Sequence, residues 1–259
     1  MSIKISTIFR YPVKGLSPEL LEKVRLNPAR CLPYDRRFAL AKASTLFDPQ
    51  HPEWLPKTNF YMLMRDEKLA QLSTRFDESS GFLTIAHHHQ TLLRASLTDQ
   101  AGRKQIGAFF NTFLDNPAEG SPRVVEAPGH AFSDARKKPN STTYQYISLI
   151  NLASVTDLEQ RVRSTVDPLR FRANIYFEGT PAWSELSWVG SEIKLGNTRL
   201  HVVSPITRCA ATTVNPATAQ RDLAIPSILQ QEYGHNHMGI YAEVITGGEI
   251  AAGDLVTHL

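Results

Sequence analysis

Cysteine is scarce: Cys31 and Cys209 are the whole supply in 259 residues. Two thiols form at most one disulfide and cannot hold an iron–sulfur cluster by four thiolates, so redox electrons are expected from another protein. Long apolar runs are missing, and Met1-Ser2-Ile3-Lys4 lacks the apolar block of a signal peptide. The expectation is a soluble cytoplasmic protein that engages no membrane. Charge of one sign is scarce too, since 28 Lys and Arg against 25 Asp and Glu leave +3 with no basic run to mark a nucleic-acid surface. No glycine-rich dinucleotide fingerprint is present.

What is present reads as many short strands. Residues 3–9 alternate as a half-buried strand does, and further strands are expected over 22–26, 38–43, 59–64, 68–73 and 82–86. Thr98-Asp99 can cap a helix running to about Leu114, with Ile106, Phe109, Phe110, Phe113 and Leu114 on one face. Turn signals crowd residues 115–122, which places a boundary between units 1–121 and 122–259. The second unit offers a strand over Arg123–Glu126, a basic loop over 132–143, a strand over 144–148 and an amphipathic helix over 152–163. A strand over 169–177 would place Arg170 and Arg172 on one face. A hairpin turning at Gly196-Asn197-Thr198, a helix over 226–233 and strands over 237–244 and 255–258 complete it. Without regular strand-helix alternation, the expected fold is mainly β with α, an α+β protein of two β-barrel-like units with a few covering helices.

The histidines invite a metal reading. His87 and His89 of His87-His88-His89 would share one strand face, and imidazole binds zinc, copper and nickel. No third ligand stands at a useful spacing, so the default is a solvated strand end, and His235 and His237 are read the same way.

The chemically dense stretch is 202–216. A β-branched run enters it, Pro205 limits its hydrogen bonding, and Thr207, Arg208 and Cys209 then stand together before Asn215-Pro216 turns away. The Cys209 sulfur is a soft metal ligand and a nucleophile, with a fixed cation beside it.

The order Arg208-Cys209-x-x-Thr212-Thr213-Val214-Asn215-Pro216 resembles the core motif of the MOSC domain, named after the C-terminal part of molybdenum-cofactor sulfurase. Leu169-Arg170-Phe171-Arg172-Ala173-Asn174-Ile175 is similar to the family's arginine-aromatic-arginine-x-asparagine strand. The segments 182–188 and 238–254 also resemble family segments, and Tyr11-Pro12-Val13-Lys14-Gly15 resembles the opening signature of the N-terminal domain that accompanies MOSC domains.

The resemblance implies a molybdenum cofactor of the molybdopterin type held between the two units, with Cys209 as metal ligand and catalytic residue. Lys14 would hold the pterin phosphate and Arg36 would make a second anion contact. Arg75, Ser141, Thr142, Arg172, Asn174, Arg208 and Thr212 would complete the cofactor site. Similarity to the amidoxime-reducing component proteins implies reduction of N-hydroxylated bases or amidoxime-like compounds. Some bacterial relatives carry a ferredoxin-like tail, whereas this sequence stops at Leu259, so the implied partner is a separate donor, ferredoxin-like or cytochrome b5-like, with its reductase. The alternative is a non-redox carrier of molybdenum cofactor, or of sulfur as a persulfide on Cys209. The sequence departs from the family pattern at Gly15, where serine is common, at Leu186, where an acid is common, and at Ala219, where glycine is usual.

Overall fold

The computed structural model describes residues 2–115 and 120–259. Met1 and the Asn116-Pro117 turn signal lie outside them.

Strand β1 (Lys4–Arg10) forms where it is expected, but a register shift between Ile5 and Thr7 breaks the alternation, and Ile5 and Ile8 are buried in one core. There follow β2 (Glu19–Leu21), β3 (Lys23–Leu26), β4 (Phe38–Ala41), β5 (Ser73–Asp77), β6 (Phe82–His87), β7 (Gln90–Ser96), α1 (Gln100–Leu114) and β8 (Arg123–Glu126). The remainder comprises β9 (Ile147–Asn151), α2 (Leu152–Val162), β10 (Ile175–Glu178), β11 (Glu192–Leu195), β12 (Thr198–Thr207), α3 (Ile225–Tyr233), β13 (His237–Thr246), β14 (Gly248–Ala251) and β15 (Val256–His258).

Eight strands form one sheet in the order β15-β11-β12-β13-β9-β10-β1-β2. Its pairs are antiparallel except β9 with β10, which run parallel and are joined across the sheet by α2. Ile5 N donates to Asp254 O at 2.9 Å, so β1 meets the chain just before β15. That contact is a bridge and not a ladder, and no closed barrel forms among the described residues. The protein is α+β, as expected. The smaller sheets are β5-β6-β7, β4-β8 and β14-β3.

A boundary at 121/122 does not partition this pairing. β1 and β2 belong to the large sheet, β3 pairs with β14, and one core mixes Ile5, Ile8 and Leu26 with Leu149, Val202 and Ile240. A second core gathers Phe38, Leu40, Ile85, Leu97 and Phe110 from the first half. The helix faces lie where the 3.6-residue period puts them: Ile106, Phe110 and Leu114 are buried, and Phe109 and Phe113 pack at the margin. Asp99 caps α1 through Gly102 N at 2.7 Å, and Asn151 caps α2 through Ala153 N at 3.1 Å.

Four expected strands are corrected. Pro56 and Lys57–Asn59 make a single 3-10 turn, leaving Phe60 with only an isolated bridge to Ala41. Residues Glu67–Gln71 are 3-10, because only Leu69 of that run finds a buried seat. The strand expected over 144–148 starts at Ile147 instead. Over 169–177, Asp167 accepts from Leu169 N at 2.8 Å and Pro168 opens a 3-10 turn through Phe171; strand geometry begins only at Ile175. Arg170 and Arg172 are therefore not same-face strand residues. Among the described residues, no helix is long and apolar enough to cross a membrane.

Candidate functional site

The site is built where β12 runs out. Pro205 has no N–H to give the ladder, and the β12–β13 register shifts beside it. Opposite, Gly239 sits at φ +75° with Leu149 O only 2.3 Å from where a Cβ would lie, so only glycine forms this bulge. The bulge turns Met238 O toward Arg208, whose Nε donates to it at 2.9 Å, while Nη1 donates to Phe171 O at 2.9 Å. The bonds given to the half-buried Arg208 guanidinium end on these carbonyls, and desolvation draws its pKa down.

Cys209 follows in extended conformation, half-buried, and opens the 3-10 turn Ala210–Thr213. Its carbonyl accepts from Thr212 N at 3.0 Å and from Thr212 Oγ1 at 2.9 Å. Arg170, whose side chain is 1% exposed, braces the same turn by donating to Thr213 O at 3.2 Å and pairing with Asp222 at 2.6 Å. The sequence reading singled out Arg170 without finding this task; its partner lies fifty-two positions away.

A cavity of about 640 Å³ opens over Cys209. Of the residues expected at a cofactor, Lys14, Arg36, Arg172, Asn174, Arg208, Thr212 and Cys209 line it. Cys31 lines it as well; both thiols are free, and burial pushes that of Cys31 up to about 12. Tyr11 organises the two arginines: Arg36 Cζ lies 4.6 Å and Arg172 Cζ 4.3 Å from its ring centroid. Arg36 adopts φ +50° in a turn before β4 and pairs with the buried Asp35. Burial works against its charge, but Asp35 outweighs this and raises its pKa. Burial lowers the Arg172 pKa to about 10, with Arg36 pushing the same way.

Lys14 is buried, donates to Phe132 O at 2.9 Å and contacts the Asp134 carboxylate. Burial lowers the Lys14 pKa; for Asp134, burial is outweighed by Lys14 and the carboxyl is held low. Eight cationic side chains line the cavity against two carboxylates, Asp35 and Asp134. The charge that looks evenly scattered along the chain is thus gathered in space.

Three nominated residues lie elsewhere. Arg75 is exposed on β5, facing away from the cavity wall, because period two in that strand sends Phe76 inward instead. Ser141 Oγ and the Thr142 hydroxyl are bonded to the buried Glu243 carboxylate of β13, which straps down the loop over 132–143. Asn174 lines the cavity, but Oδ1 accepts from Ser148 and Nδ2 donates to Phe9 O, tying β9 to β1. Missed were Lys57, Trp54, Asp134 and Glu243. Only Glu243 left a sequence signal, an acid inside the apolar strand 237–244.

The histidines hold no metal cluster; among the described residues no group of three His, Cys, Asp or Glu can do so. His88 and His89 form the two-residue tip between β6 and β7, exposed as expected.

An anionic, hydrogen-bonding ligand fits the cavity. Besides the cation excess, Trp54 Nε1, Ser133 Oγ and Arg170 Nε are buried in lining residues without a protein partner.

Comparison with known proteins agrees in kind. Residues 130–257 match the model of the MOSC domain. The chain is similar to a molybdenum cofactor sulfurase of Bos taurus, 34% identical over 246 residues and covering 84% of this chain and 27% of that protein. A molybdenum cofactor sulfurase of Caenorhabditis briggsae is 26% identical over 87% of this chain and 30% of its own length. Mitochondrial amidoxime-reducing component 1 of Homo sapiens is 32% identical over 100 residues, 38% of this chain and 29% of its own. The chain therefore spans less than a third of the length of these relatives.

Proposed function

Since residues 130–257 of this chain are a MOSC domain, we propose that it binds a molybdenum cofactor in the cavity over Cys209 and reduces N-hydroxylated bases or amidoxime-like compounds. The supporting observation is that Lys14 and Arg36 from one end of the chain and Arg172, Arg208 and Cys209 from the other line the same cation-rich cavity.

When bound, the cofactor supplies a two-electron redox centre at the metal. The chain's residues do the rest. Cys209 gives its sulfur as the protein ligand, with Thr212 and Arg170 fixing the turn that carries it. Arg36, Arg172 and Lys14 hold the anionic end of the cofactor, and Tyr11 keeps the two guanidinium groups in place. Overall the N–O bond of the substrate breaks, two electrons and two protons are taken up, and water leaves. The electrons come from a separate ferredoxin-like or cytochrome b5-like donor protein with its reductase.

The test is metal analysis after expression in a host that makes the cofactor, in the native chain and in Cys209→Ser, followed by N-hydroxy-substrate reduction with an artificial electron donor. The expected result is molybdenum and turnover in the first and neither in the second. Turnover without bound molybdenum sinks the reading.

A second reading has its own support: the relatives named as molybdenum cofactor sulfurases align over 84–87% of this chain. Under it Cys209 carries a persulfide sulfur or the cofactor itself to another protein. Bound molybdenum or releasable Cys209 sulfur, with no reduction of any N-hydroxy compound, distinguishes it.

A further inference from the structure

A second cavity, of about 470 Å³, lies beside the first. The two share Gly15, Leu63, Arg170, Arg172 and Ala211 as a common wall, and Ala211 follows Cys209 by two residues. Gly15, at φ +83°, puts no side chain into that wall. Yet the two cavities differ in chemistry. The first is a cation-rich basin, whereas the second mixes Leu63, Leu72 and Leu169 with Ser17, Gln71 and Thr218. Its only permanently charged lining groups are Arg170, engaged by Asp222, and Arg172. No carboxylate lines it.

The histidine triplet stands at its mouth. His87, His88 and His89 all line the second cavity, and the His87 and His88 rings lie with centroids 4.0 Å apart. Both tip residues hold positive φ, 46° and 66°, values that asparagine and glycine adopt more readily. The imidazoles therefore stand at the rim in a turn that does not call for them.

We infer that this second cavity is the substrate seat of the Cys209 centre, and that it takes planar organic molecules that are neutral or anionic rather than cationic. The inference rests on the reductase reading and adds to it a substrate class. Its volume falls within the range of small-molecule sites. Imidazole faces give a ring a stacking partner, Ser17, Gln71 and Thr218 offer hydrogen bonds to its polar group, and no carboxylate lines the cavity to neutralise a cation.

The probes are benzamidoxime, its 4-carboxylate and its 4-trimethylammonium derivative, with binding to the full chain followed by calorimetry and by ligand-observed NMR, so that no turnover is needed. The first two are expected to bind, and the ammonium derivative at least tenfold more weakly. Ala217→Trp fills the cavity from an exposed position of its wall; it should weaken every probe about tenfold while leaving the thermal midpoint unchanged. His88→Asn with His89→Gly removes the rings but supplies residues suited to the turn, and should weaken binding several-fold. Equal affinity for the ammonium derivative, indifference to both variants, or binding of no probe overturns the inference. The two readings fail separately: Ala217-sensitive binding without reduction by the loaded protein sinks the reductase and spares the seat. Reduction with a KM unmoved by Ala217→Trp does the reverse.

Discussion

Arg36 Nη2 donates to the backbone carbonyl of Arg172 at 2.8 Å, and both guanidinium groups lie against the one Tyr11 ring. Two cations are thus held against one aromatic ring, and Asp35 is ion-paired with Arg36. That arrangement is charged in advance for a multivalent anion. Inorganic pyrophosphate should raise the thermal midpoint of the native chain, a ligand at a hundred times its Kd contributing about 2.7 kcal/mol. Arg172→Gln should abolish most of that shift. A shift of native size in this variant would show that the anion binds elsewhere.

Asp222 is the carboxylate partner of the buried Arg170 guanidinium. Asp222→Ala leaves that charge buried and uncompensated, and should cost about 2–4 kcal/mol in urea unfolding. Because Arg170 also holds the turn after Cys209, loss of bound molybdenum should accompany it. Unchanged stability would mean that water reaches Arg170.

Glu243 straps the loop over 132–143 through Ser141 and Thr142. Glu243→Ala should free Arg136, Lys137 and Lys138 to trypsin, with local opening eased by about 2–3 kcal/mol. Cleavage at the native rate would show that other contacts hold the strap.

His130 is buried among Phe47, Phe132 and Tyr144, and burial lowers its pKa. Such a base takes up a proton more readily when unfolded. Its contribution is therefore complete above the unfolded value of about 6.5 and is lost as pH falls from there through the folded value. Denaturation midpoints at pH ~7.5 and ~5.5 should converge in His130→Gln relative to the native chain. Equal acid sensitivity in both proteins would rule His130 out.

Gly239→Ala tests the bulge that aims Met238 O at Arg208. The added carbon meets Leu149 O at 2.3 Å, and φ +75° disfavours any side chain, so at least about 1–3 kcal/mol should be lost. Native stability in this variant would contradict the bulge geometry.

The sequence by itself determined what depends on neighbours along the chain. Asp99 and Asn151 cap the helices they precede, the apolar stripe of α1 lies inward, and Arg208-Cys209 ends a strand at a turn. Those features follow from backbone geometry and side-chain period, which a few adjacent residues set. The resemblance nominated Lys14, Arg36, Arg172 and Cys209, and these four line one cavity.

Tertiary structure decided the rest. That β1 leaves the first half to pair with β10, that Arg170 meets Asp222, and that Glu243 takes the hydroxyls of Ser141 and Thr142 are contacts between distant residues. No local pattern encodes them. Strand alternation promised Arg170 and Arg172 a common face, but Pro168 and the Asp167 cap favoured a 3-10 turn, so the two arginines reach one cavity by another route. The cation excess of that cavity arises the same way: charges spread thinly over 259 residues become a field only when folding brings eight of them around one volume.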